Sequence, residues 1–414
     1  MQSPDWNRRE FFGTALAAST MAALRPERVL GANDRVAIAL VGAGRRGLLM
    51  EALQFAKELN VDIPVVCDTW RQRREKAAAT IKDKLGTEPK QVVSFQEVLG
   101  RKEIDAVILS TPDHQHCTML TAAARAGKDA YVEKPMAMTM RELILAVDTV
   151  KKYNRVVQVG TQIRSLPPAV AARNFVAAGG LGKIFKIEQS RNGYLPYWHM
   201  YADPTLKESD VDWKAFLMHR KYRPFDPDQY TAWMGYRDFS QGAHAGLMVH
   251  FIDLLHYVTG AKIPRRVVAM AGTYRWKDKR NCADSVEVLL EYPEDGFMVR
   301  YNSTFGTNDN NYLKFFGTRG VMDAAGQWWS WKKTFPISGE GSKDADRIKR
   351  GETIPPAEST PHMKNWFECL RSRKQPHAPI DAGYAHSVAA IMADIAFTKG
   401  RQVTYDPVKR AIKV

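Results

Sequence analysis

Three stretches of this chain carry side chains suited to moving protons. In the first, Glu133-Lys134-Pro135 follows a short apolar run, Asp129-Ala130-Tyr131-Val132. In the second, Ser240 to His256, residues Leu247, Phe251, Leu254 and Leu255 recur at helical spacing. His250 and Asp253 stand three residues apart there and so share one helix face, with His244 before them and His256 after. The third is Thr111-Pro112-Asp113-His114-Gln115-His116, at the end of the apolar run Ile104–Ser110. Imidazoles titrate near neutrality and a desolvated lysine approaches it, so these groups suit acid/base work at a hydroxyl. A histidine on a buried helix is more often a satisfied core residue, so the set needs a reactive partner before it implies chemistry.

The partner is announced by Arg35–Gly47. The apolar strand Val36–Val41 leads into Gly42-Ala43-Gly44-Arg45-Arg46-Gly47, and Leu48 onward reads as a helix. This is the glycine turn of a dinucleotide site. Gly42 makes the turn, Gly44 admits a pyrophosphate, Gly47 lets helix pack on strand, and the phosphates meet N–H groups of a helix start. A second strand, Ile63–Cys67, ends in Asp68, twenty-one residues beyond Gly47, where an acid holds the ribose hydroxyls. Asp68 favours NAD; Arg71, Arg73 and Arg74 keep NADP in play. His114 and His116 have metal-ligand spacing, but no third ligand is near, and no metal is expected.

Strand and helix signals alternate from Asp34 to about Arg155, the pattern of a doubly wound parallel sheet of the Rossmann type, whose ligands sit at the strands' carboxyl ends. Gln162 ends its last strand or hinge, Arg155–Gln162, and Arg164 follows. Beyond them Val267–Tyr274, Ser285–Tyr292, Phe297–Thr304 and Tyr312–Gly317 read as antiparallel strands of a second, α+β domain with a large open sheet. Between the two, Tyr194–Phe239 is rich in Trp, Tyr, Pro and Asp, including Trp198, Trp213 and Trp233. Such a stretch suits either sugar binding or a satellite core. Trp328, Trp329 and Trp331 fit an interface or core, 337–359 reads as a mobile loop, and His362–Arg373 and Tyr384–Lys399 as helices. The expected division is a leader at 1–32, a nucleotide domain at 33–155, a substrate and oligomerisation domain at 156–375, and a C-terminal helix and tail at 376–414 packing back on the nucleotide domain.

With the glycine turn, TPDHQH at 111–116, ARAGKDAYVEKP at 124–135 and VHFID at 249–253 in register, the chain from about Asn33 resembles the glucose-fructose oxidoreductase, inositol dehydrogenase and rhizopine catabolism (Gfo/Idh/MocA) family. An exported subgroup matches best. The resemblance implies a nicotinamide cofactor and a carbohydrate substrate. It implies that Lys134 contacts nicotinamide ribose and substrate, and that Pro135 fixes the turn. His250 would be the acid/base, and Asp253 would bind a sugar hydroxyl. It places His116 near the nicotinamide; Thr111, Pro112, His114, Glu133 and Gln162 fall on the cofactor side and Arg164 on the substrate side. One departure is Gly246, where the family often has an aspartate four residues before the histidine. This puts a simple alcohol-dehydrogenase mechanism in doubt. His244 is the candidate to fill that gap, and His244-Ala245-Gly246-Leu247 loosely resembles a stretch of the family's NAD-dependent glycosidases. Three readings follow: a sugar or polyol oxidoreductase, a redox-neutral glycosidase or lyase, and a non-enzymatic sugar-binding protein. The family also implies a dimer or tetramer, built on the open sheet.

Asn7-Arg8-Arg9-Glu10-Phe11-Phe12 resembles the twin-arginine export signal, and the apolar run after it is too short to span a bilayer. Export to the periplasm, with no membrane anchor afterwards, is expected. A cofactor loaded before export is not replenished, so a tightly held, internally recycled one is expected too. The 414 residues carry a net charge of +15, yet the positive charges are scattered and no nucleic-acid motif is present, so a nucleic-acid partner is not expected. The four cysteines are far apart, which fits structural thiols rather than a disulfide framework.

Overall fold

A computed structural model describes residues 35–44, 46–195, 203–324, 334–349 and 352–414. The leader at 1–32, Arg45, Trp198, Trp328, Trp329 and Trp331 lie outside the described residues.

The apolar runs become strands buried between helical layers. In chain order the first half gives β1 (Val36–Val41), α1 (Leu48–Ala56), β2 (Val61–Cys67), α2 (Arg71–Leu85), β3 (Lys90–Val92), α3 (Phe95–Gly100), β4 (Ala106–Leu109), α4 (Asp113–Arg125), β5 (Asp129–Val132), α5 (Met140–Lys152) and β6 (Val157–Val159). These strands form a parallel sheet in the order β3-β2-β1-β4-β5-β6. The order reverses between β1 and β4, so a crevice opens where their carboxyl ends diverge, and open α/β sheets bind ligands there. Gly42 leaves β1 and Thr111 leaves β4 at that point.

β6, within the stretch Arg155–Gln162 read as the last strand or the hinge, pairs with β5 and closes the parallel sheet. One expectation is corrected here. The helix expected from Cys117 starts at Asp113, with Pro112 as its cap residue. Proline cannot extend a strand ladder, and an acid in the first turn suits the helix dipole. His114 and His116 therefore lie on a helix.

The second half gives α6 (Pro167–Ala177), β7 (Ile184–Ser190), α7 (Trp213–Leu217), α8 (Pro227–Thr231), α9 (Ala243–Thr259), β8 (Arg266–Gly272), β9 (Ser285–Tyr292), β10 (Phe297–Thr304), β11 (Tyr312–Gly317), β12 (Gly320–Asp323), β13 (Phe335–Ser338), β14 (Thr353–Ile354), α10 (His362–Ser372), α11 (Ile380–Lys399), β15 (Val403–Asp406) and β16 (Ala411–Lys413). The strands order as β14-β13-β12-β11-β7-β10-β9-β8-β15-β16, with β7 and β10 parallel and the other pairs antiparallel. Burial alternates along β10, so one face is packed and the other open. β13 and β14 correct the loop read at 337–359: apolar Phe335 and Ile337 alternate into the core. α11 packs on α5 and β6 of the nucleotide domain as well as on β8, while β15 and β16 extend this second sheet.

α9 packs between α6 and α11 and is buried nearly throughout, which carries its histidines into the interior. All four cysteines are buried and free. Among the described residues no helix is long and apolar enough to cross a membrane.

Candidate active site

A cavity of about 780 Å³ fills the crevice between β1 and β4 and runs on to the start of α9. Its glycine wall is strictly specified. Gly42 has φ +87°, and a Cβ there would stand 2.3 Å from the Ser110 carbonyl oxygen, so only glycine fits. A Cβ at Gly47 would meet no atom within 4 Å, and the φ of +78° is what demands glycine there. That replaces the helix-packing reason expected from the sequence. Asp68 sits on the cavity wall with both carboxylate oxygens engaged, one by Ala43 N–H at 2.7 Å and one by Trp70 N–H at 2.8 Å. The acid thus braces the turn that it follows.

Across the crevice, Arg46 Nε meets Glu133 Oε1 at 2.9 Å, and Glu133 is also bonded by Gln162 Nε2 at 3.1 Å. The glycine turn, the end of β5 and the turn after β6 are locked together by this trio. Lys134 is half-buried beside them, and its Nζ donates to the Gly246 carbonyl in the first turns of α9 at 3.0 Å. Burial pushes the ammonium down, while Glu133 and Asp113 push it back up. His250, one turn beyond Gly246, is held well below its ordinary range by burial, with the Lys134 and Arg46 cations adding to the effect. The imidazole is therefore neutral. Lys134 and His250, 116 residues apart in sequence, lie close enough for the ammonium's charge to be felt at the imidazole, but only Lys134 lines the cavity.

The other expected residues go elsewhere. Asp253 is fully buried, gripped by Arg164 Nε at 2.6 Å and His386 Nδ1 at 3.2 Å, and neither Asp253 nor Arg164 lines the cavity. His244 stacks on Phe305, with ring centroids 4.3 Å apart, away from the cavity, and burial lowers it to about 4. His114 bonds the Phe216 carbonyl through Nε2 at 2.9 Å, and His116 spans the carbonyls of Pro135 and Thr111 at 2.7 Å each. These two imidazoles staple turns; Thr111 and Pro112 themselves line the cavity.

A cover closes the β2 end. Asp210 takes Arg71 at 2.5 Å and Gln72 at 3.1 Å, Asp212 N–H donates to Thr69 O at 2.8 Å, and Tyr230 OH meets Thr69 Oγ1 at 2.8 Å. Trp70, Trp213, Phe216, Tyr230 and Phe239 fuse into one aromatic cluster beneath it. Trp213 is thus core, whereas Trp233 lines the cavity. Of the three arginines after Asp68, Arg71 is paired with Asp210, Arg74 bonds the Asp68 carbonyl at 2.6 Å, and Arg73 lies over the Trp70 ring on the cavity wall. Sequence reading missed Asp113, Asp210, Tyr230 and His386. Only Asp113 carried a local signal, standing between Pro112 and His114.

Two family models match the chain: "Oxidoreductase family, NAD-binding Rossmann fold" over residues 36–161 and "GFO/IDH/MocA C-terminal domain" over 215–323, together more than half of it. The chain belongs to the Gfo/Idh/MocA family. Among curated relatives, a glycosyl hydrolase family 109 protein of Shewanella sp. (strain W3-18-1) is 26% identical over 192 residues, 42% of each chain. One of Shewanella baltica (strain OS185) is 27% identical over 194 residues, again 42% of each. The chain spans about two fifths of the length of these curated relatives. Solved structures of similar fold include levoglucosan dehydrogenase in complex with NADH and levoglucosan, at 19% identity and TM-score 0.68, covering 90% of this chain and 99% of that one. The aldose-aldose oxidoreductase of Caulobacter crescentus, complexed with glycerol, matches at 19% identity and TM-score 0.67, covering 89% and 99%.

Proposed function

We propose that this Gfo/Idh/MocA protein is an NAD(P)-dependent oxidoreductase acting on a hydroxyl of a sugar or polyol. The observation that carries the reading is the place of Lys134 on the wall of the crevice that Gly42 and Asp68 line, at the carboxyl edge of the parallel sheet, with its Nζ bonded to Gly246 one turn before His250. The residues fit a dinucleotide: the glycine cradle tolerates no Cβ at Gly42, and Asp68 offers a carboxylate at the ribose position. When bound, the nicotinamide supplies the hydride acceptor. The chain's own groups do the rest. Lys134 orients the reacting oxygen by donating a hydrogen bond, and neutral His250 takes its proton. The apolar walls around Phe216, Tyr230 and Met234 keep water out.

Asp68 favours NAD, since a carboxylate repels a 2′-phosphate. The cover over the β2 end supports a tightly held cofactor, recycled within the cycle. The twin-arginine-like leader supports export to the periplasm, and the open face of the second sheet supports a homo-oligomer.

A second reading is redox-neutral glycoside cleavage, in which oxidation is transient and the aglycone eliminates. Glycine at 246 and the family 109 relatives favour it. The experiment mixes purified protein with free sugars and aryl glycosides while nicotinamide reduction and aglycone release are followed. Net nicotinamide reduction supports the oxidoreductase; aglycone release without it supports the second reading. Sugar binding without either points to a binding protein and sinks both.

A further inference from the structure

Strands β7, β8 and β10 run in one direction, since β7 pairs with β10 in parallel and β8 and β10 both lie antiparallel to β9. The loops that follow them therefore leave the second sheet at the same end, and each is pinned there. Asp284, fully buried, accepts the N–H groups of Tyr274, Arg275 and Trp276 at 3.1, 2.7 and 2.8 Å. Asn192 Oδ1 accepts the Thr304 N–H at 3.0 Å, and Asn308 Oδ1 accepts the Tyr194 N–H at 2.7 Å. A carboxylate engaged by three successive N–H groups fixes the shape of its turn before anything binds, which lowers the cost of binding.

The loops present a corner of two aromatic rings. Tyr194 and Trp276 stand edge to face, with centroids 6.1 Å apart and planes at 81°. Trp276 Nε1–H donates to the Phe305 carbonyl at 2.9 Å, so the indole is anchored to the sheet. The Arg275 guanidinium lies 4.5 Å over its ring. Arg275 is exposed, and Tyr194 is 51% exposed. An aromatic face offers a surface to the C–H groups of a pyranose, and a guanidinium offers fixed N–H donors to its hydroxyls.

This corner adjoins the candidate active site. Trp276 packs with Met234 and Leu247 on the small cluster of Ala232, Ala243 and Phe305. Met234 also lines the cavity, as does Gly242 beside Ala243. Leu247 follows Gly246, whose carbonyl accepts from Lys134. We propose that the corner is a second carbohydrate subsite, and that the substrate is a disaccharide or larger glycoside. Its reacting ring meets Lys134, while a neighbouring ring lies on Tyr194 with hydroxyls on Arg275. The inference rests on the reading of the cavity as a sugar site and adds the class of sugar.

The same turn supplies a control. Tyr274 is 71% exposed, yet its ring covers Gly272, where a Cβ would stand 2.6 Å from it. Gly272 shares the strand face of the exposed Val268 and Met270, so Tyr274 lies on the open face of the sheet, away from the corner.

The test is calorimetry of the full chain with NAD present. Maltose, cellobiose and lactose are compared with the methyl glucosides and methyl galactoside of their rings. At least one disaccharide should bind about tenfold tighter than the methyl glycosides, the worth of one good aromatic contact. Tyr194→Ala and Arg275→Ala should each remove most of that preference and leave methyl glycoside affinity as in wild type; Tyr274→Ala should change neither. Methyl glycosides that bind as tightly as the disaccharides, or a preference that survives either substitution, overturn the second subsite and leave the cavity reading standing. A wild type that binds none of these sugars overturns both.

Discussion

At the scale of single residues, the site divides into groups that face the cavity and groups that hold them. Lys134 faces it, so Lys134→Met should lower kcat on the best panel sugar about 10²-fold or more, the usual worth of a positioned acid/base group. Nucleotide affinity, measured by calorimetry, should change little; an equal loss of both would mean that the lysine serves binding alone. Asp253 is different, because Arg164 and His386 consume its carboxylate in the interior. Burial pushes the carboxyl up, but the Arg164 guanidinium and the hydrogen bond to His386 outweigh it and hold the carboxyl far below the usual range. Arg164→Met would strand that charge, and breaking a buried pair from one side costs about 3–5 kcal/mol. Urea unfolding should register the loss, and Arg164→Met with Asp253→Leu should recover part of it. A sugar-binding role predicts the reverse emphasis, with normal stability and a raised KM.

At the scale of elements, the strands were legible because buried runs such as Val36–Val41 leave no other reading, and β9 to β11 match their expected limits. The start of α4 was misread because Pro112 looked like the end of a strand rather than the cap of a helix. The cover over the β2 end was invisible, since its contacts join Trp70 and Thr69 to Tyr230, some 160 residues away. The pairing of Asp253 with His386 hid for the same reason: a separation of 133 residues has no local signature. Lys134 and His250 were singled out only through motifs; spacing alone left His250 a core residue, and it is buried within α9. The cover leads to its own prediction. Asp210 anchors it through Arg71 and Gln72, so Asp210→Asn keeps the shape and removes the charge. The nucleotide off-rate, followed by stopped-flow fluorescence, should rise severalfold while turnover at saturating nucleotide holds. An off-rate equal to wild type would mean that the cover does not gate release.

For the whole molecule, burying so many imidazoles has a pH signature. Burial lowers His244 to about 4 and both His256 and His362 to about 3, against roughly 6.5 in an unfolded chain. A depressed folded value means that these groups favour the native state fully above about 6.5 and lose that advantage as pH falls toward their folded values. Between those limits the unfolded chain binds three protons that the native chain refuses. Asp113 acts with the opposite sign: raised to about 7, it keeps a proton in the native state that an unfolded aspartate sheds above about 4. For these four groups the balance is about two protons taken up on unfolding near pH 5.5; His114, His116 and His250, lowered by burial, add to it, and the buried carboxyls Glu51, Glu142 and Asp394, raised by burial, offset part of that addition. Each proton changes stability by about 1.4 kcal/mol per pH unit, so the total should fall by roughly 3 kcal/mol from pH 6 to pH 5. Urea midpoints across pH 5 to 7 would read that slope directly, and a flat profile there would contradict the burial of these histidines as neutral groups. Asp253, held charged by Arg164, should add a second decline only below about pH 4, where an unfolded aspartate takes up its proton.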